Sequence, residues 1–340
     1  MGVKDVIILG IESSCDDTSA AILKNGKICS NIVANQTVHE AFGGVVPELA
    51  SRAHQQNIVP VVDQAIKKAG IRKEAIDGIA FTRGPGLMGS LIVGTSFAKS
   101  LALGLNIPMM NVNHMHGHIL AHFIENDTKR YPTFPFICMT VSGGHTQLVL
   151  VKDYFDMEIL GQTIDDAAGE AFDKAAKIMG LPYPGGPLID RYAKDGDYKR
   201  FTFPVSDLKD YDYSFSGLKT SLLYFLQKEV KASPDFIKDN LSDICASYQG
   251  TIIRSLFKKL IKATRDLNIK EVAIAGGVSA NSLLRSELKR IGQREGWETY
   301  VPPFEYCTDN AGMIAIAGYY QYLKGDFASQ DITPDARLKF

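Results

Sequence analysis

The sequence runs to 340 residues, 45% hydrophobic and 22% charged, with 30 glycines and 14 prolines, which excludes a short module and a disordered, collagenous or low-complexity chain. Lysines and arginines number 37 against 38 aspartates and glutamates, so the net charge of −1 gives no global basic field of the kind that marks a nucleic-acid binder. Five dispersed cysteines, Cys15, Cys29, Cys138, Cys245 and Cys307, lack C-x-x-C spacing, which argues against a disulfide framework and a thiolate zinc site and points to a reducing cytoplasm.

The opening residues hold only a short apolar stretch before Glu12, too little for a signal peptide. Three strands are predicted first, at Val6–Ile11, Ser19–Leu23 and Ile28–Asn35, joined by the polar turn Ser13–Thr18 and by Asn25-Gly26 into an antiparallel meander. Apolar spacing predicts a helix over Pro47–Ala69, then a strand at Ile76–Thr82, a helix at Ser90–Leu103, a strand at Pro108–Val112 and a helix from Asn113. The apolar region Leu87–Met110 is broken by Lys99, serines and glycines, and is expected to be a buried helix and strand, not a membrane span. Glu125–Pro135 is the predicted linker.

The pattern then recurs. Phe136–Val141, Thr146–Lys152 and Met157–Thr163 form a second meander around the turn Ser142–His145. Helices are expected near Asp166–Met179, Ser216–Lys231, Phe236–Leu267 (with an interruption), Ala280–Glu295 and Asn310–Leu323, with a strand at Glu271–Ala275. Gly185-Gly186-Pro187, followed by Asp190, is expected as a breaker cluster between helices, equally a loop or a ligand-shaping turn. The duplication predicts two α/β lobes around a cleft, residues 1–130 and 131–340, the last helix being able to pack back on the first lobe.

Four of the seven histidines, His114, His116, His118 and His122, lie within nine residues. On a helix His114 and His118 share a face one turn apart, the spacing with which two imidazoles grip one metal ion; His122 falls near that face and His116 points elsewhere. Buried histidines satisfied by backbone are the bland alternative. A third, oxygen ligand must come from a distance, and Asp309, at the start of the last helix, is placed to supply it. A zincin would need glutamate where Met115 stands, so a metalloprotease lacks its base. No G-x-S-x-G elbow and no P-loop occurs, and no G-x-G-x-x-G fingerprint follows a first strand.

Three turns at equivalent strand ends combine glycines or hydroxyls in the manner of anion sites: Glu12–Thr18, Ser142–His145 and Gly276–Asn281. Each reads equally as an ordinary polar turn. Asp173 falls on an amphipathic helix where a carboxylate commonly faces solvent. Arg254, Lys258, Lys259, Lys262 and Arg265 make the most basic stretch, either a solvated helix face or a phosphate contact.

Taken in order, Ile11–Thr18, Asn113–His118, Val141–Thr146, Asp165–Asp173, Tyr183–Gly186, Phe215–Thr220 and Gly276–Asn281 resemble the motifs of the bacterial tRNA N6-adenosine threonylcarbamoyltransferase (TsaD) family over nearly the whole chain. The resemblance implies the actin-like ATPase (ASKHA) fold shared with sugar kinases. It implies transfer of threonylcarbamoyl from threonylcarbamoyl-AMP to N6 of the adenosine 3′ of the anticodon, in tRNAs reading codons that begin with A, forming t6A and releasing AMP. By motif match His114, His118 and Asp309 would hold one divalent metal, iron(II) or zinc. Thr140, Val141, Ser142, Gly143, Gly144, Asp173, Gly186 and Asn281 would surround the adenylate, with Asp190 nearby. His116 stands where relatives commonly have glutamate.

The general base is not identified; His145, Glu12 and Asp16 are the candidates. Expected partners are tRNA, a smaller inactive paralogue (TsaB) joined through the first lobe, and a P-loop ATPase (TsaE), with no membrane. Pro47–Ala69 and Ser90–Leu103 are plausible contact surfaces. An ATPase or small-molecule kinase of the same fold is the alternative reading, followed by the metalloprotease.

Overall fold

The computed structural model describes residues 5–35, 39, 44–128, 130–206 and 208–340; Met1–Lys4 and Lys129 of the predicted linker lie outside the described residues. The chain divides into two compact units, Met1–Tyr131 with Pro302–Phe340, and Pro132–Val301. The segment 302–340, with the last helix, belongs with the first unit.

In the first unit β1 (Ile7–Glu12), β2 (Thr18–Lys24) and β3 (Lys27–Ala34) form the antiparallel meander, and β4 (Gly78–Gly84) and β5 (Met109–Asn113) add parallel strands, in the order β3-β2-β1-β4-β5. β1 is buried along nearly its whole length because both its faces are covered. Leu9 and Ile11 point to one side, where they cluster with Ile58, Val61 and Val62 of α1 (Pro47–Lys68). Gly10 points to the other side, where a side chain would strike Ala311 and Ala315 of α10 (Ala311–Lys324), and Gly318 of the same helix lies against Ala80. These small residues let α10 lie directly on the sheet, which is why the far end of the sequence completes this unit.

α2 (Met88–Leu105) packs on α1 and β4. It is the one helix among the described residues long and apolar enough to cross a membrane, yet only 33% of it is buried. The expectation of a buried helix holds for one face: Ser90, Leu91, Gly94, Ala98 and Ala102 are covered, whereas Met88, Ile92 and Leu103 are exposed. β5 runs into α3 (His114–Leu120).

The second unit repeats the plan. β6 (Phe136–Val141), β7 (Thr146–Asp153) and β8 (Asp156–Gln162) form the meander, and β9 (Glu271–Ala275) and β10 (Glu298–Tyr300) add parallel strands, in the order β10-β9-β6-β7-β8. β10, three residues at the sheet edge, had no sequence signal. α4 (Ala168–Ile178), α5 (Gly185–Ala193), α6 (Ser216–Ala232), α7 (Phe236–Asp239), α8 (Leu241–Asp266) and α9 (Ser282–Glu295) complete the unit around a core that includes Met139, Phe172, Tyr213, Tyr248 and Leu256. α5 corrects the breaker reading of Gly185-Gly186-Pro187. Proline in a first turn has no intrahelical N–H bond to lose, so the cluster opens the helix.

Candidate functional site

The first unit brings His114, His118 and Asp309 together. Asn113 caps α3, its Oδ1 accepting from Met115 N at 2.8 Å, which fixes the first turn and sets the two imidazoles edge to face with centroids 4.8 Å apart. Asn310 caps α10 in the same way at 3.1 Å, and so places Asp309 just ahead of that helix. α3 and α10 approach closely where Gly117 faces Met313 and Ile314. As a result His114 Nε2 and His118 Nε2 lie 3.4 and 3.1 Å from the same oxygen, Asp309 Oδ1. Ligands at about 2.0–2.1 Å from a tetrahedral metal stand about 3.3–3.4 Å apart, so the donor set has the right chemistry and both histidine–aspartate separations fit, with all three ligand atoms within 4.8 Å of one another. The His118 side chain is fully buried while Asp309 keeps 31% exposure, leaving the set closed behind and accessible on one side.

Behind His114 sits Glu12, 0% exposed. Its Oε2 accepts from Thr82 Oγ1 at 2.6 Å and lies 3.1 Å from His114 Nδ1, and its Oε1 accepts from Ser14 N at 2.5 Å. Ser14 Oγ is also 3.1 Å from His114 Nδ1. Burial alone would lower the His114 pKa, but the Asp309 and Glu12 carboxylates outweigh it and hold it well above the ordinary value. Burial pushes Asp309 and Glu12 up, and His114 more than reverses this, holding Asp309 well below the usual carboxylate range and Glu12 below it. Burial, followed by the charges of Asp16, Asp309 and Glu12, pushes Asp17 up to about 7. This is a pocket with an excess of carboxylates and a cation's place between them.

His116 and His122 are not part of this set. His116 packs its ring on Phe340 at 4.8 Å, and burial pushes its pKa down to about 4. His122 is buried in the short turn Ala121–Phe123.

The second unit gathers the residues expected around an adenylate at the carboxyl ends of β6 and β9. Thr140 and Val141 end β6, and the following turn closes on itself, with Ser142 N donating to His145 O at 2.8 Å and His145 N to Ser142 Oγ at 3.0 Å. Gly276, at φ +86°, ends β9 so close to Val141 that a Cβ would lie 2.5 Å from its carbonyl oxygen. Asp173 of α4 accepts from Gly185 N and Gly186 N at 2.8 and 3.2 Å. Burial raises the Asp173 pKa against the pull of those two donors. Asp190 of α5 accepts from Ser282 N and Oγ, and Asn281 caps α9 while donating to Gln249 Oε1 at 2.7 Å. Gly143 and Gly144 are different: they are exposed, their φ angles are ordinary, and a Cβ on either would meet nothing within 4 Å. Neither backbone conformation nor packing requires glycine there.

Sequence reasoning missed Thr82 and the Ser14–His114 contact, since only the parallel pairing of β1 with β4 brings position 82 beside position 12. The basic stretch of α8 is part buried and part exposed. Lys259 is 5% exposed and donates to Leu208 O and Asp210 O, Lys262 pairs with Asp266 and lies over Tyr211, and Arg265 chelates Glu295. Lys259 is thus held inside the unit, whereas the Lys262 and Arg265 side chains stay half or more exposed.

Two sheets of one strand order, with loops gathered at strand ends and a His–His–Asp set in the first, define an actin-like ATPase fold carrying a candidate metal centre. HypF from T. kodakarensis shares the fold at a TM-score of 0.61 and 16% identity, over 95% of this chain and 48% of that one. Component A of the Acidaminococcus fermentans (R)-2-hydroxyglutaryl-CoA dehydratase does so at 0.53 and 15%, over 94% and 100%. The model of the family TsaD: tRNA N6-adenosine threonylcarbamoyltransferase matches residues 27–316. The tRNA N6-adenosine threonylcarbamoyltransferase of Christiangramia forsetii is 64% identical over 340 residues, 100% of both chains, and that of Porphyromonas gingivalis 60% identical over 337, 98% of this chain and 99% of that one. The chain belongs to the TsaD family and is a transferase acting on tRNA.

Proposed function

We propose that the threonylcarbamoyl donor is threonylcarbamoyl-AMP, that His114, His118 and Asp309 hold one iron(II) or zinc ion, and that Thr140, Val141, Ser142, Gly143, Gly144, Asp173, Gly186, Asp190 and Asn281 form the adenylate site. The observation that carries the metal reading is the convergence of both Nε2 atoms on one Asp309 oxygen. The donor is a mixed anhydride. Adenosine N6 attacks the carbamoyl carbon, the carbon–oxygen bond to phosphate breaks, AMP leaves with the electron pair, and N6 gives up a proton; no protein nucleophile enters. When bound, the metal supplies Lewis acidity toward the phosphate or the carbonyl. The Ser142–His145 turn and the open faces of Gly143 and Gly144 admit the phosphate to backbone N–H groups, while Asp173 and Asp190 fix the neighbouring turns. Glu12, with both oxygens engaged, orients His114; Asp16 and His145 are the groups left to receive the N6 proton.

The α1/α2 face, where Val59, Met88, Ile92 and Leu103 are exposed, is the surface we assign to the inactive paralogue (TsaB), with the P-loop ATPase (TsaE) joining them in the cytoplasm. A net charge of −1 makes tRNA affinity of the isolated chain weak, with binding carried by a local basic patch such as Arg254, Lys258 and Lys262 or by partner surface. The test incubates unmodified tRNA with threonylcarbamoyl-AMP and reads the modified nucleoside by mass, for wild type, His114→Ala and His118→Ala. Transfer and metal content are expected to fall together. Full transfer by metal-free protein overturns the metal assignment, and ATP turnover without tRNA, or protein cleavage without nucleotide, would favour the kinase or protease reading.

A further inference from the structure

The turn between β1 and β2 carries Ser14, which touches His114, and two adjacent carboxylates, Asp16 and Asp17, that repel one another. Such a polar turn does not hold one shape unaided. Its anchors come from two helices. From α2, Leu87 N donates to Ser14 O at 2.7 Å and Ser90 Oγ to Cys15 O at 3.0 Å. From α1 comes one side chain, His54, which is 0% exposed and bonded at both ends of the turn: Nε2 lies 3.0 Å from Cys15 O and Nδ1 2.7 Å from Thr18 Oγ1. A carbonyl can only accept, so Nε2 carries the hydrogen and Nδ1 takes the Thr18 hydroxyl hydrogen, a single neutral tautomer. Thr18 is itself fully buried. Burial, the largest influence, lowers the His54 pKa and keeps that form dominant.

We propose that His54 is a positioning residue for threonylcarbamoyl transfer: by bridging Cys15 and Thr18 from α1 it sets the turn that holds Ser14 against His114 and Asp16 and Asp17 beside the metal centre. The proposal rests on the reading of His114 as a metal ligand. It touches neither substrate nor metal, and its action is carried by two hydrogen bonds that glutamine can make and leucine cannot.

The test compares His54→Gln, His54→Leu and Thr18→Val with wild type and His118→Ala. Zn2+ alone is titrated into each metal-free chain, thermal melts record folding, and kcat and KM for threonylcarbamoyl-AMP are measured under conditions that support the wild type. His54→Leu is expected to lose at least about tenfold in kcat with KM within about twofold, and to bind Zn2+ several-fold more weakly. His54→Gln is expected to recover to within about threefold of wild type. Wild-type kcat and Zn2+ affinity in His54→Leu, or a glutamine variant no better than leucine at equal melting temperature, overturns the proposal. If His54→Leu does not fold, Thr18→Val, which keeps shape and removes one hydroxyl, decides: a smaller loss of the same kind supports the proposal and none overturns it. Undiminished Zn2+ binding by His118→Ala would instead overturn the metal reading.

Discussion

Glu12→Gln replaces one oxygen of the carboxylate behind His114 with NH2, and the surroundings leave that group no good place. Turned toward Oε1 it meets the Ser14 N–H at 2.5 Å, donor against donor. Turned toward Oε2 it faces His114 Nδ1 at 3.1 Å and favours an acceptor there, which moves the ring hydrogen to Nε2, the nitrogen aimed at Asp309. In the first orientation an amide oxygen still accepts from Nδ1 but without the carboxylate's charge, and in the second the ligand nitrogen loses its support outright. A charge-assisted hydrogen bond contributes about 1.5–3 kcal/mol, and removing the partner of a metal-bound histidine commonly costs 10–100-fold in affinity, about 1.4–2.7 kcal/mol. Competition titration of Zn2+ into the metal-free variant against a chelator of known affinity, at pH 7.5, should show that loss with the melt still cooperative. Binding within about twofold of wild type would refute the claim that Glu12 governs the His114 tautomer.

Three further outcomes are expected. Gly143→Val and Gly144→Val should leave the melting temperature nearly unchanged, because their side chains meet no neighbour, while raising KM for the adenylate at least tenfold; a normal KM would remove this turn from the adenylate site. Gly318→Val should cost about 1–3 kcal/mol in urea unfolding, since even its Cβ would lie 2.2 Å from that of Ala80. His116, with a folded pKa of about 4 against 6.5 unfolded, binds its proton more readily in the unfolded chain. The metal-free protein should therefore lose stability as pH falls from about 6.5 toward 4, by at most about 3 kcal/mol from this residue, and His116→Leu should flatten that part of the curve; an unchanged pH dependence would count against the burial argument.

Much of the fold was legible because its signals are local. The two meanders, the strand at Glu271–Ala275 and the long helices follow from alternation and helical spacing, and the structure places them within a few residues of expectation. The pairing of His114 with His118 is also local, one turn of one helix. Asp309 stands nearly 200 residues away in sequence, and reached the candidate set through its place before a capped helix and then through family motifs. Thr82 had no local signature, because its role comes from strand register. Lys259 shows the converse: sequence displays its charge but not the carbonyls of Leu208 and Asp210 that it meets. Pro187 misled because proline breaks a helix interior yet suits a helix start.

The first unit is assembled from both ends of the sequence, with Pro132–Val301 lying between. On the ribosome, β1–β5 emerge early, but α10, which covers Gly10 and Ala80, and Asp309 arrive last. At about 5–20 residues per second the roughly 200 intervening and closing residues occupy about 10–40 s. During that interval the second unit can finish folding while one apolar face of the first sheet stays uncovered, and the two histidines wait without their carboxylate. A nascent chain halted before residue 302 should therefore be a substrate for chaperones, with His114 and His118 present but the Asp309 carboxylate still to come.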